Sequence, residues 1–178
     1  MQTTFLKAKK PLVKEITKDG SKPYPLVKNF TSEDHEISLD KKGFNKLFRV
    51  ITTAASQGAC MHKGPLKRAL IDEPRAFMSD RSARTELLVL DIDGLRATPG
   101  DNLQALADKI VLQLPDIFHN VSYIVQASAS LGVKKNQISL HLFFLMDMSV
   151  HPKTLKDYLR MLNYECDFLA EQITLSAN

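Results

Sequence analysis

Apolar residues recur at helical spacing in three parts of the chain. Residues 40–57 place their apolar side chains on one face, and Gly58 follows as a stop signal. Residues 101–114 form a second amphipathic pattern, which Asp101 is suited to cap. The third pattern begins at Pro152, a residue typical of the first turn of a helix. The chain is therefore predicted to contain three helices, and a further short helix is expected at 66–71.

Three further segments have the composition of β-strands. They are ELLVLDID at 86–93, VSYIVQAS at 121–128 and ISLHLFFLM at 138–146. The first is a continuous aliphatic run, which favours a central strand covered on both faces. The other two flank a polar turn that contains Gly132, and they predict a hairpin. The order helix, strand, helix, strand, strand, helix predicts an α+β fold with helices packed on a sheet.

Positive charge is concentrated in the first thirty residues. This segment has seven lysines against Glu15 and Asp19, a balance of about +5, while the whole chain has a formal charge of +4. Three prolines and Gly20 interrupt it, which predicts a basic extended arm over 1–30 and a single domain over 31–178. Such an arm can approach a phosphate backbone or remain a solvated tail, and charge alone does not decide between them.

Length and composition exclude several classes of protein. A chain of 178 residues with 44% hydrophobic residues suits one domain with one core. No apolar run reaches the ~18 residues of a membrane span, and the Lys-rich start lacks a signal-peptide pattern. We therefore expect a cytoplasmic protein with no membrane partner. Cys60 and Cys166 are far apart and have no CxxC or His/Cys cluster around them, which gives no support to a zinc site or a disulfide.

Asp91 and Asp93 end the first predicted strand in the sequence DIDG. Alternation along a strand puts both carboxylates on one face, where their oxygens can share a divalent cation. The alternative is that both side chains leave the sheet into solvent at a turn, as Asp often does. A strand this apolar usually ends on a single turn-forming residue, which favours the cation site.

Ser139 and His141 form a second candidate motif, in the last predicted strand. They share one face, while Ile138, Leu140 and Leu142 belong to the other. A hydroxyl and an imidazole that project together from a rigid element can grip a phosphate. A single histidine in a strand more often hydrogen-bonds a backbone group, so the case for His141 depends on the two motifs occurring together.

A hydrophobic strand with DxD, followed by SxH on a later strand, resembles the first two catalytic motifs of the archaeo-eukaryotic primase superfamily, which includes plasmid and phage primase-polymerases. Here the motifs read LLVLDIDG and ISLHLFF. The segments KGPL at 63–66 and EPRA at 73–76 are similar to the lead-in segment of the same primases. The resemblance covers roughly residues 50–146 and implies a primase-polymerase-like, RRM-like fold, with a mixed or antiparallel sheet and flanking helices.

The resemblance implies a nucleotidyltransferase that makes a primer or a DNA strand on a template during plasmid or phage DNA replication. Asp91 and Asp93 would hold two divalent ions, Mg²⁺ or Mn²⁺, and Ser139 and His141 would contact the phosphates of the incoming nucleotide. The catalytic residues would be Asp91, Asp93 and His141. The implied partners are template DNA, ribo- or deoxyribonucleoside triphosphates and a downstream helicase domain or protein.

One part of the family pattern has no counterpart in the sequence. A third carboxylate on a later strand completes the family's metal site, and neither Asp147 nor Asp167 fits that position. We therefore expect a catalytic domain truncated before the third metal-binding carboxylate, which puts the activity of this chain alone in doubt. Lys63, as a nucleotide-binding residue, and Arg75 are candidates to meet the triphosphate or the template backbone, and ordinary solvation is the alternative for both.

Two other functions are compatible with the same residues. A replication accessory protein with a degenerate primase fold would bind nucleic acid without turnover, and the missing third carboxylate favours it. LLVLDIDG also matches the first motif of haloacid-dehalogenase-like phosphatases, where the first Asp is a nucleophile and the second a general acid. That family places the motif near the start of its domain, and its later motifs have no convincing counterpart after Ile138.

Overall fold

The computed structural model describes residues 1–62, 64–96, 102–133 and 137–167. The helices in these ranges are α1 (Lys41–Ser56), α2 (Leu103–Val111) and α3 (Pro152–Glu165). The strands are β1 (Gln2–Lys7), β2 (Glu15–Thr17), β3 (Gly20–Lys22), β4 (Asn29–Glu36), β5 (Cys60–His62), β6 (Glu73–Pro74), β7 (Thr85–Arg96), β8 (Tyr123–Ala127) and β9 (Gln137–Val150). This mixture confirms the α+β fold class. No helix in the described part of the chain is both long enough and apolar enough to cross a membrane.

The chain divides into two compact units. The first consists of Met1–Leu87 and Leu145–Pro152, and the second contains Leu88–Phe144 and the chain from Lys153. This division differs from the expected boundary at residue 30, because the start of the chain belongs to the first unit.

A four-stranded sheet in the order β5-β1-β4-β6 lies in the first unit, and its neighbouring strands are antiparallel. On β1, Phe5 pairs with Glu33 of β4, and both Phe5 and Leu6 are buried. Leu6 forms a core cluster with Leu12 and Leu70. The expected arm over 1–30 is therefore not a detached segment at its start, because the apolar side chains of β1 are buried. Farther on, β2 and β3 form a small antiparallel hairpin.

Helix α1 begins where the sequence predicts. The Asp40 carboxylate accepts a hydrogen bond from the Gly43 N–H at 2.7 Å, which caps the helix and is the main reason that the pKa of Asp40 lies below its ordinary value. Leu47 and Ile51 are buried one turn apart. Gly58, just after the helix, has a φ of +65°, a left-handed conformation that glycine adopts without strain.

The connection from α1 to β7 contains no helix at 66–71, so the prediction of a short helix there is wrong. The Lys67 N–H donates to the Met78 carbonyl at 2.8 Å, and the Asp80 N–H donates to the Pro65 carbonyl at 3.0 Å. The backbone N–H and carbonyl groups of this segment therefore form hydrogen bonds with a facing segment. These bonds take the place of the i to i−4 hydrogen bonds that a helix would form.

A three-stranded sheet in the order β7-β9-β8 carries both sequence motifs. Strands β8 and β9 are antiparallel, with Tyr123 opposite Phe144, which confirms the predicted hairpin. The prediction that β7 is central is wrong, because β9 lies between the other two strands. Apolar residues on both faces of β7 indicate burial of the faces, and they carry no information on whether a strand has one hydrogen-bonded neighbour or two.

Helix α2 is tied to β8 by a polar contact. The Tyr123 hydroxyl donates to the Asp108 carboxylate, and the Gln104 amide donates to the same oxygen at 2.9 Å. The hydroxyl is the main reason that the pKa of Asp108 is lowered, while burial, followed by Asp108, raises the pKa of Tyr123. Asn102 caps α2 through the Ala105 N–H, and the expected cap, Asp101, lies outside the described residues.

Truncation of a fully buried side chain in β9 tests the core of the second unit. Leu140 is 0% exposed, so Leu140→Ala should lower the free energy of unfolding by about 2–5 kcal/mol through lost burial and a residual cavity. Leu112 is 71% exposed, and Leu112→Ala should change it by less than about 0.5 kcal/mol. Urea titrations followed by circular dichroism measure both, and equal effects would contradict the assigned core.

The contact between Tyr123 and Asp108 predicts a pH dependence. Because the folded state lowers the pKa of Asp108, the stability from this carboxylate is present above its unfolded pKa, about 4, and is lost as the pH falls below it. Tyr123→Phe removes the main cause of the shift, so its urea midpoint should fall less between pH 7 and pH 3 than that of the unmodified chain. Tyr164→Phe, at an exposed tyrosine, is the control. Equal pH slopes for Tyr123→Phe and the unmodified chain would exclude the contact.

Candidate functional site

Asp91 and Asp93 lie within β7, since the strand continues through Gly94 to Arg96. Both aspartates are exposed, while Leu90 and Ile92, which alternate with them, are buried. The two carboxylates therefore share a face of the strand, as the alternation predicts. Both side chains reach solvent, as the alternative expects, but they do so from within the strand and not at a turn.

Each carboxylate contacts a side chain of the second motif on the neighbouring strand. His141 Nε2 lies 3.2 Å from Asp91 Oδ1, and the Ser139 hydroxyl donates to Asp93 Oδ1 at 2.7 Å. The later residue of β7 pairs with the earlier residue of β9, so the two strands run antiparallel here. The structure thus brings the four residues together as two cross-strand pairs on one face of the sheet.

Ser139 and His141 differ in how accessible they are. Ser139 is only 3% exposed, and its oxygen also accepts a hydrogen bond from the Gly94 N–H at 3.2 Å. The hydroxyl is therefore used once as a donor and once as an acceptor within the protein. The His141 side chain is 31% exposed, so part of its ring is open to a ligand. Of the two, His141 is the residue that a bound phosphate can reach directly.

Sequence reasoning missed two groups at this site. Gln126 of β8 lies directly opposite His141, which extends the row formed by Asp91 and His141 across all three strands. The Gly94 N–H, described above, holds the Ser139 oxygen. The one signal in the sequence was that Gln126 is a polar residue in an otherwise apolar strand. To place it beside His141 required the register of the hairpin, which the length of the connecting turn did not define.

The structure gives a mixed result for the remaining candidates. Lys63 lies outside the described residues. Arg75 is exposed in the first unit, with its guanidinium carbon 5.8 Å from the centroid of the Phe30 ring. Asp147 is an exposed residue of β9 that also belongs to the first unit.

The donors at the site suit a hard divalent cation. Asp91 and Asp93 are exposed carboxylates on one face, and within the described residues the second oxygen of each has no protein partner. No group of three or more His, Cys, Asp or Glu in the described ranges is arranged as a metal site. The described chain therefore supplies two carboxylate ligands, and a bound ion would take the others from water or substrate.

The comparisons with known proteins do not assign the chain to a family. No protein-family model, no curated protein and no solved structure matches it. The functional interpretation therefore depends on the two motifs and on the contacts between them.

Proposed function

We propose that this chain is a nucleotidyltransferase domain of the primase-polymerase type, which synthesises a primer or a DNA strand on a template with two divalent ions, Mg²⁺ or Mn²⁺. One observation carries the proposal: the cross-strand contacts of Asp91 with His141 and of Asp93 with Ser139 on one face of the sheet. The contacts put two exposed carboxylates, which would serve as ligands for divalent ions in phosphoryl transfer, beside an imidazole that would contact a phosphate.

Asp91 and Asp93 would hold the ions through the carboxylate oxygens that the protein leaves free. When bound, the ions would activate the 3′-hydroxyl and neutralise the charge on the triphosphate. The hydrogen bond from Ser139 fixes one oxygen of Asp93, so the other has a defined direction before any ligand arrives. In this geometry Ser139 is a positioning residue, which differs from the expected direct contact with the nucleotide, because its hydroxyl is buried and already engaged.

His141 is the side chain best placed to contact a phosphate of the nucleotide. The contact of Asp91 with its Nε2 atom fixes the orientation of the ring. The ring also packs edge-on against Phe143, with 6.4 Å between the centroids. A ring held from two sides loses little conformational entropy when it binds a ligand, which favours binding in one defined geometry.

A second candidate function is nucleic-acid binding without turnover. The observation that favours it is the absence of a third acidic residue grouped with Asp91 and Asp93 among the described residues. A haloacid-dehalogenase-like phosphatase would need a parallel, doubly wound sheet, whereas the described strand pairs of this chain are antiparallel.

The first experiment measures metal-dependent incorporation of labelled nucleotides by the full chain. Single-stranded and primed DNA templates are supplied with ribo- or deoxyribonucleotides and with Mg²⁺ or Mn²⁺. The double variant Asp91→Asn, Asp93→Asn should lose at least about 100-fold in rate, because it removes both proposed metal ligands. The control Asp19→Asn, Asp116→Asn changes the net charge equally at exposed positions and should retain activity.

Two results would overturn the proposal. One is the lack of incorporation by the unmodified chain together with the lack of metal-dependent nucleotide binding in calorimetry. The other is full activity of the Asp91→Asn, Asp93→Asn variant. DNA binding that persists in the first case and is unaffected by the double substitution would establish the binding function in its place.

The role of Ser139 as a positioning residue gives a separate prediction. Ser139→Ala frees the Asp93 carboxylate to rotate, so the affinity for Mn²⁺, measured by titration with spin-resonance detection, should fall about 10-fold. Ser122→Ala, at an exposed serine, should leave it unchanged. An unaltered Mn²⁺ affinity in Ser139→Ala would show that the hydroxyl does not support the metal ligands.

A further inference from the structure

An open groove of about 570 Å³ in the first unit combines aromatic and basic side chains. Phe30, Arg75 and Phe77 line it together with Lys28. Phe77 is 89% exposed, and the guanidinium of Arg75 lies over the ring of Phe30. An exposed ring, a cation stacked on a second ring and a nearby lysine are the elements of a surface that stacks bases and contacts phosphates.

Phe77 occupies a backbone position where a phenylalanine is costly. The Met78 N–H donates to the Arg75 carbonyl at 3.1 Å and closes a four-residue turn. Phe77 is the third residue of this turn and has a φ of +64°, as in a type II turn, where glycine is the usual residue. Neither backbone preference nor burial accounts for an aromatic residue here. A rigid turn that exposes a ring is suited to stacking against a flat ligand.

Phe30, the other aromatic residue of the lining, is anchored in the protein core. Phe30 is partly buried and packs against the cluster formed by Leu6, Leu12 and Leu70. Its backbone pairs with Glu73, so this part of the lining belongs to the four-stranded sheet. This part of the groove is therefore ordered before any ligand binds, which reduces the loss of conformational entropy on binding.

The groove also has positive charge that no carboxylate neutralises within the described residues. The nearby Arg68 is paired with Glu73. Lys28 and Arg75 are exposed and form no ion pair in the described part of the chain. Their donors are therefore free to contact an anion.

We propose that this groove binds single-stranded DNA. Unpaired bases stack on Phe77 and along the groove, and phosphates contact Lys28 and Arg75. A duplex keeps its bases stacked on one another and cannot offer them to Phe77. Ser79 is the one hydroxyl residue among the described residues of the lining, and its Oγ lies 3.0 Å from His62 Nε2, so one of its hydrogen-bonding positions is already used within the protein. The choice of DNA as the occupant rests on the proposed function, whose template is DNA. This binding does not depend on Asp91 or Asp93 and extends the proposed activity to a separate surface.

The test is fluorescence anisotropy of a labelled oligo(dT) of about twelve nucleotides, a length within the range of single-strand sites. Phe77→Ala should weaken binding about 5- to 100-fold, because one stacking platform is lost. Phe77→Tyr should stay within about twofold, since the ring remains. Phe48→Ala is the matched control, because Phe48 is exposed on α1 and lies outside the groove. The plot of log K against log salt concentration has a negative slope, and Lys28→Gln and Arg75→Gln should each make it less steep by about 0.7.

A second variant separates binding from folding. Phe77→Asn suits the positive φ, so it should match or exceed the unmodified chain in thermal stability while losing affinity as Phe77→Ala does. The chain has no tryptophan, so Phe77→Trp introduces a single tryptophan, whose emission can be excited apart from that of the tyrosines and should change on adding oligo(dT). The variant Asp91→Asn, Asp93→Asn should bind oligo(dT) normally, which keeps this result distinct from a failure of the proposed enzymatic activity.

Several results would overturn the inference. One is the absence of binding by the unmodified chain at low salt, and another is binding by Phe77→Ala as tight as that of Phe48→Ala. Equal affinity for duplex DNA would remove the role of base stacking. Tighter binding of oligo(U) than of oligo(dT) would reassign the groove to RNA.

Discussion

The antiparallel register between β7 and β9 is the constraint on which the candidate site depends. Side chains alternate between the two faces of a strand, so a shift of one residue would move Asp91 and Asp93 to the other face. Leu88, Leu90 and Ile92 are buried, and exchanging them with charged residues would carry a large desolvation cost. The hydrophobic face of β7 therefore determines which face carries the carboxylates, independently of their contacts with Ser139 and His141.

Sequence patterns predicted the elements that depend on local information. The helical pattern over 40–57, the hairpin of β8 and β9 and the common face of Asp91 and Asp93 all follow from spacing over a few residues. The pairing of Asp93 with Ser139 depends on contacts between distant segments, and alternation alone could not supply it. The prediction that β7 is a central strand was wrong for the same reason, because the order of strands in a sheet also depends on contacts between distant segments.

The start of the chain shows how charge can conceal a strand. In residues 2–7 the short apolar stretch is followed by many lysines, and the average over thirty residues favours an arm. The structure pairs Lys7 with Glu33, Lys9 with Asp72 and Lys22 with Glu15. Exposed pairs of this kind contribute little to stability, but they neutralise charge that a count along the sequence treats as free. The basic surface is therefore more local than the composition indicates.

The outer position of β7 has a consequence for association between molecules. In the described three-stranded sheet, one side of β7 has no neighbouring strand, and its sequence contains the aliphatic run LLVL. Such an edge is a template for pairing with another extended chain. Charges on an edge strand oppose that pairing by repulsion and by the cost of removing water from them. Asp91 and Asp93 therefore oppose edge-to-edge association of the chain through the same two carboxylates that we propose as metal ligands, so replacing them would affect solubility as well as the proposed activity.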